Sequence, residues 1–155
     1  MPNLNQSQID VTPTGVLGVH VVRPAASLPQ SATGHLFAVT GRVLVTCLIG
    51  QVTTIIQNSD PVAKITATPT SGTAVDVAST VDLSSLEVGG FIFVEGDGTA
   101  LVKSNAGAAF IGAPSGHFIA NAGYIDLITG ASKTGAAKWD LYYVPLDDNS
   151  SVVAV

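Results

Sequence analysis

Short runs of alternating or β-branched residues, each ended by a turn signal, recur from residue 34 to the last residue. The turn signals include "TGR", "NSDP", "PTSGT" and "GDGT". They return about every 8 to 12 residues, the spacing typical of an all-β sandwich or barrel. Only "SSLEVGG" suits a turn of helix. The sequence therefore predicts an all-β fold, a β-sandwich of jelly-roll-like form.

The central strands are predicted by alternation of side chains. The strand predicted over 42–56 has apolar odd positions at its start and polar ones later, so one face is predicted to be buried only over the first half. Gly50 lies at this change and is predicted to mark a bulge or bend. In the segment 74–83 the alternation is clearest, and one set of residues is predicted to face inward: Val75, Val77, Val81 and Leu83.

The stretch "AKWDLYYVP" carries the only Trp and two of the three Tyr of the chain. Side chains alternate between the two faces of a strand. Trp139, Leu141 and Tyr143 are therefore predicted to fill the core, with Tyr142 on the opposite face beside Val144. Because Tyr is enriched at contact hot spots, Tyr142 is predicted to anchor an interface, with a sugar-stacking platform as the alternative.

Residues 1–34 differ from the remainder because prolines recur through them, and proline favours extended backbone. They are predicted to form an extended N-terminal arm, followed by a β-sandwich domain over 35–155. The arm contains one strand-like piece, "GVLGVHVV". A disordered terminus and a plain first strand of the sandwich remain open as alternatives. The candidate interface residues are Val16, Val19 and Val21 from this piece, together with Tyr142 and Val144.

Composition restricts the partners. Charged residues make up 11% of the 155 residues, against about 25% in an average soluble domain. The net charge is −5, and the absence of a basic patch predicts no binding to nucleic acid. No apolar run is long enough for a membrane helix, and the N-terminus is not expected to be a secretory signal. Because charges are few and 46% of the residues are hydrophobic, the surface must include exposed apolar groups, and an assembly would bury much of that surface.

No catalytic, cofactor or metal site is predicted. Ser115 lies in a small-residue loop without a nucleophile-elbow motif, and Cys47 alternates with apolar neighbours, which predicts a buried, inert thiol. The three His and one Cys lack zinc spacing. Asp76 and Asp82 share the outward side of one strand without surroundings that favour a general acid. The chain is therefore predicted not to be an enzyme.

Three groups of residues resemble a known family. They are the entry formed by Pro29, Gln30, Ala32, Thr33 and Gly34; the strand with Gly50, Val52, Thr53 and Thr54; and the ending that pairs "IDL" with "KWDLYYVPLD". Over about residues 29 to 155 the chain resembles small virion proteins encoded in the structural gene clusters of tailed bacteriophages.

This resemblance implies a capsid decoration, or cement, protein. Such a protein would be made in the host cytoplasm and would lie on the outer surface of the virion capsid. It would bind the major capsid protein across capsomer seams, as a homotrimer on three-fold positions, and its N-terminal arm would reach neighbouring subunits. The alternative is another virion component: a head fibre, a tail part, or a β module that binds a receptor or glycan.

Overall fold

The computed structural model describes residues 17–57, 62–95, 100–105, 107–108 and 117–155. The regular elements of these residues are eleven strands. They are β1 (Val19–Ser27), β2 (Thr33–Thr40), β3 (Val43–Thr54), β4 (Val62–Pro69), β5 (Val75–Asp82), β6 (Phe91–Phe93), β7 (Val102–Ser104), β8 (Phe118–Ala120), β9 (Gly123–Thr129), β10 (Ala136–Pro145) and β11 (Ser151–Ala154). The strands predicted over 42–56, over 74–83 and in "AKWDLYYVP" correspond to β3, β5 and β10.

The strands form two sheets. Sheet A has the order β1-β10-β3-β6-β7, with β8 also paired to β3, and sheet B has the order β11-β2-β9-β4-β5. The ladders between these strands are antiparallel. The all-β sandwich predicted from the turn spacing is confirmed.

The strand pairs are nested along the chain. β4 pairs with β5, β3 with β8, β2 with β9 and β1 with β10, so each pair encloses the one before it. A long antiparallel ribbon wrapped around one core gives such nesting, and it supports the jelly-roll-like path, which stays a prediction.

The core between the sheets is built on β10. Trp139, Leu141 and Tyr143 are 1%, 0% and 6% exposed, as their alternation predicted. Trp139 lies opposite Gly50 of β3, and a Cβ atom at Gly50 would come within 2.9 Å of the indole ring. Gly50 therefore makes room for the tryptophan. The predicted bulge lies elsewhere.

The pairing of β3 with β10 shifts at two points: between Val52 and Thr54, and at a bulge at Thr46 and Cys47, opposite Tyr142 and Tyr143. Because one extra residue reverses the alternation, Val43 and Val45 face the core before the bulge, and Leu48 faces it afterwards. The prediction that Cys47 is a buried core thiol is wrong. Cys47 is only half-buried, on the outside of sheet A.

The inward face of β5 also differs from its prediction. Its pairing with β4 shifts at two points, which brings Ala78 into the core opposite Ile65. Val77 and Val81 pack against the core from its margin, and Leu83 is fully buried. Val75 is 59% exposed, so its predicted inward position is wrong. The register shifts cancel the simple alternation that the sequence suggests.

The predicted arm over 1–34 lies partly outside the described residues. Residues 1–16 are not described, whereas β1 is the edge strand of sheet A and pairs with β10 from Val19↔Tyr143 to Ser27↔Ala136. The strand-like piece therefore continues into the sandwich. This is the alternative of a plain first strand, which the sequence left open.

Candidate interaction surface

The outer face of sheet A carries three rows of side chains that lie next to one another across the strands. Val22, Asp140 and Ile49 form the first row, and His20, Tyr142 and Cys47 form the second. Val144, Leu44 and Ile119 form the third. We call these nine residues face A. They come from β1, β10, β3 and β8, and core residues such as Trp139, Leu141 and Leu48 lie between them in the sequence.

Face A is largely apolar although it is on the outside of the protein. Val22 is 50% exposed, Ile119 is 62% exposed and Val144 is 38% exposed. Leu44, Cys47, Ile49 and Tyr142 are half-buried between them. Contiguous exposed apolar groups are uncommon on monomers and are typical of surfaces that contact another molecule.

The two titratable side chains on β1 and β10 of face A, His20 and Asp140, bind each other. His20 Nε2 lies 2.7 Å from Asp140 Oδ1, and each side chain is about one-third exposed. The His20 ring also stacks on the Tyr142 ring, with 4.4 Å between centroids and an angle of 7° between planes. Partial burial, followed by the charge of Asp140, raises the pKa of the Tyr142 phenol. The phenol therefore stays neutral at physiological pH.

Cys47 lies on the other side of Tyr142 from His20. Burial raises the pKa of its thiol, and the negative charge of Asp140 adds to the effect. A protonated thiol is a poor nucleophile and behaves as a small apolar group. Cys47 therefore adds to the neutral, apolar character of face A.

The predicted interface residues occupy different places. Tyr142 and Val144 lie on face A, as predicted. Val19 is 47% exposed but lies opposite Tyr143, at the end of the inward row of β1. Val21 lies opposite Leu141 and packs against the core. Val16 lies outside the described residues.

Sequence reasoning missed most of face A. In β1 the outward positions are His20 and Val22, and alternation alone does not show which set of β1 points outward, because both sets contain valines. In β3 the bulge reverses the alternation, which moves Cys47 and Ile49 to the outside. A valine on each side of His20 was the only local signal, since histidine is less often fully buried than valine.

The outer face of sheet B is different. Its outward rows contain mostly polar side chains, although Thr66 and Asp126 among them are buried by their neighbours. We call this set face B: His35, Lys64, Thr66, Thr68, Asp76, Tyr124, Asp126 and Val153. Asp126 is 1% exposed, and its two carboxylate oxygens bond to His35 Nδ1 at 2.6 Å and Thr68 Oγ1 at 2.7 Å. The His35 ring stacks on Tyr124 with 4.0 Å between centroids.

A second network continues face B toward β5. Asp76 accepts hydrogen bonds from Lys64 Nζ and Thr66 Oγ1, each at 2.8 Å. The bond from Lys64, followed by that from Thr66, lowers the pKa of the Asp76 carboxyl group. The polar groups of face B therefore bind one another within the chain.

Among the described residues, Asp76 and Asp82 belong to separate hydrogen-bond networks and do not form a pair of catalytic carboxylates. Asp82 accepts bonds from the Ser84 hydroxyl and backbone N–H, which lower the pKa of its carboxyl group, while Asp76 belongs to the network of face B. Ser115 lies outside the described residues, and His117 is exposed before β8. In the described parts of the chain, no three or more His, Cys, Asp or Glu side chains are grouped as metal ligands.

No protein-family model, curated protein or solved structure matches this chain. Within the ranges that the structure covers, no helix has the length and apolar character needed to cross a membrane.

Proposed function

We propose that this chain is a capsid decoration protein, which binds the outside of a bacteriophage head through face A and stabilises the shell across capsomer seams. The observation that carries the proposal is the composition of face A, in which a largely apolar surface has its polar pair, His20 and Asp140, hydrogen-bonded within the chain. Such a surface suits contact with a second protein better than contact with water.

The stabilising mechanism is mechanical. Burial of an apolar surface on binding is favourable, at about 25 cal/mol for each Å² removed from water. A protein that binds the expanded shell but not the free subunits shifts the equilibrium toward the shell by mass action. Many copies, each adding one contact, would together raise the temperature at which the head ruptures.

The position of β1 sharpens the proposed role of the arm. Deletion of residues 1–30 would remove β1, which pairs along β10 and supplies His20 and Val22 to face A. The informative deletion therefore ends at residue 16. This variant is expected to keep the sandwich and to bind the particle less tightly than the full chain.

The proposal is tested with heads of the encoding phage purified without this protein. The full chain should sediment with expanded heads and raise the temperature of DNA release, and it should not sediment with free capsid subunits. Unchanged rupture temperature with saturating protein would overturn the stabilising role. Native mass of the free protein, with a chain mass of 15.7 kDa, tests the predicted homotrimer separately.

A second candidate is a glycan-binding virion module, and the observation that favours it is on face B. Tyr124 is 39% exposed beside the hydrogen-bonding groups of His35 and Thr68. Aromatic rings with neighbouring polar groups are suited to sugars. Both tyrosine rings carry a stacked histidine, but Tyr142 is half-buried among the apolar side chains of face A and is therefore less accessible to a sugar. Glycan binding lost on Tyr124→Ala but kept on Tyr142→Ala would support this candidate, and a glycan array without hits would oppose it.

A further inference from the structure

A cleft lined by residues of both sheets lies beside the second half of β1. Its volume is about 410 Å³, which is within the range of pockets that hold small molecules. Leu36, Leu127 and Trp139 form its apolar inner lining, and each of them is at most 2% exposed. None of the nine residues of face A lines this cleft. It is therefore a separate feature of the molecule.

Arg23 brings a cation to the cleft. It lies opposite Trp139 in the ladder between β1 and β10, in the same alternate set as Val21, which packs against the core. The inward row of β1 therefore ends in a guanidinium group. The pairing of β1 with β10 shifts between Arg23 and Ala26. Bulges of this kind change the direction of side chains and are common beside functional sites.

The Arg23 guanidinium forms no ion pair with an acidic side chain of the described residues. Its Nε donates a hydrogen bond to the Val155 carbonyl oxygen at 2.7 Å. By contrast, the Arg42 guanidinium donates to both carboxylate oxygens of Asp147. Partial burial lowers the pKa of the Arg23 guanidinium, because its charged form loses hydration. An anion that reaches this partly buried cation would stabilise its charge.

We propose that this cleft binds a small organic monocarboxylate, whose carboxylate pairs with Arg23 and whose apolar body lies against Trp139 and Leu127. The inference goes beyond the proposed function, because it concerns a different part of the molecule. It is tested on the free protein and can fail without affecting the test of particle binding.

The charge and the lining of the cleft select this class of ligand. A guanidinium group can hold a carboxylate through two parallel hydrogen bonds. Arg23 is the one Lys or Arg among the described lining residues, and Nδ1 of His35, which also lines the cleft, is bonded to Asp126. A phosphate dianion would therefore leave one negative charge without a partner. The apolar lining favours a ligand with a hydrocarbon body over an inorganic anion.

The wall of the cleft is held in place by hydrogen bonds to the residues around the end of β9 and the start of β10. The Leu28 N–H donates to the Gly135 carbonyl oxygen at 3.0 Å. The Thr129 hydroxyl donates to the Pro29 carbonyl oxygen at 2.6 Å. These bonds fix the wall in the absence of a ligand, so the entropy lost by ordering it does not oppose binding.

Trp139 supplies the readout, because it is the only tryptophan and lines the cleft. The test titrates the native protein with 8-bromooctanoate and, separately, with the neutral 8-bromooctanol. Because a bromine atom quenches tryptophan fluorescence only at close range, quenching reports binding in the cleft. The apparent Kd of the carboxylate is expected to be about tenfold lower than that of the alcohol. Equal apparent Kd values, or no quenching by the carboxylate up to about 10 mM, would overturn the proposal.

Arg23→Gln removes the cation and should weaken binding of the carboxylate about tenfold, to the level of the alcohol. The matched control is Arg42→Gln, which removes the same charge from the pair with Asp147 and should keep the native affinity. Melting curves of both variants show whether the sandwich is intact. An equal loss of affinity in both variants would mean that net charge governs binding, and it would overturn the role of Arg23.

A second variant keeps Arg23 and changes the space around it. Ala26→Leu adds volume to the lining of the cleft and should weaken binding of both the carboxylate and the alcohol. Ala25→Leu is its control, since Ala25 is exposed and does not line the cleft. Native affinity of the Ala26→Leu variant for the carboxylate would place the ligand elsewhere and would overturn the proposal.

Discussion

Face A and face B are the outer surfaces of the same sandwich, and they satisfy their side chains in different ways. On face B the carboxylates of Asp126 and Asp76 each accept two hydrogen bonds from neighbouring strands. On face A the polar contact is the single His20–Asp140 pair, and the surrounding positions are apolar and partly exposed. A surface whose polar groups bind one another can face water. The free energy falls when another molecule covers an exposed apolar surface.

The two faces share one motif. Each has a His–Asp pair across an outer ladder, His20–Asp140 between β1 and β10 and His35–Asp126 between β2 and β9, with a Tyr ring stacked on the histidine. The pairs differ in burial, since Asp140 is about one-third exposed and Asp126 is covered. The difference between the faces therefore comes from what surrounds the pair.

The largest expected effect lies in the core beneath both faces. Trp139→Ala should lower the free energy of unfolding by about 3–5 kcal/mol, the usual range for a buried large aromatic residue. Tyr142→Ala, one strand position away from Leu141 but on face A, should cost about 1 kcal/mol or less. Urea unfolding of both variants measures the difference. A similar loss of stability in both variants would mean that Tyr142 is as buried as Trp139, and it would contradict the description of face A as an outer surface.

The two His–Asp pairs should differ in their effect on stability. Asp126→Ala removes a covered carboxylate that accepts hydrogen bonds from His35 and Thr68, and it should cost about 2 kcal/mol. Asp140→Ala removes a partly exposed pair and should cost about 0.5 kcal/mol. Denaturant midpoints at pH 7 test this order. Equal losses would show that the difference in burial between the Asp126 and Asp140 carboxylates does not affect stability.

The smallest expected effect concerns acid stability at the margin of face B. The folded state lowers the pKa of the Asp76 carboxyl group, so its contribution is present above the unfolded pKa, near 3.9, and is lost as pH falls through the folded value. Asp76→Asn should therefore lower the melting temperature by about 1 °C at pH 7 and by less at pH 3. Thermal melts at both values measure the difference. A larger loss at pH 3 would reverse the sign and refute the role of the ionised carboxylate.

The sequence was sufficient for the strands and for the core side of β10, because turn residues and alternation are local properties. It failed at β3 and β5, where bulges shift the alternation and place Cys47 outside and Ala78 inside. A bulge is set by the register with a partner strand, which local alternation does not contain.

The candidate surface was only partly predictable for the same reason. Tyr142 and Val144 follow from the alternation of β10, and both lie on face A. His20, Cys47 and Ile119 join them through ladders between β1, β10, β3 and β8, which are far apart in sequence. Val19 and Val21, two of the predicted interface residues, belong to the inward set of β1 and do not lie on face A.

The central claim, that face A is the surface that binds the particle, is tested most directly by sedimentation of matched variants with heads that lack the protein. Val22→Asp with Ile119→Asp places two carboxylates on face A, and Val153→Asp places one on face B, at positions that are all at least half exposed. The account predicts at least about tenfold weaker binding by the face A variant, since burying an unpaired charge is costly, and native binding by the Val153→Asp variant. Equal binding by both variants, or a loss only with Val153→Asp, would contradict it.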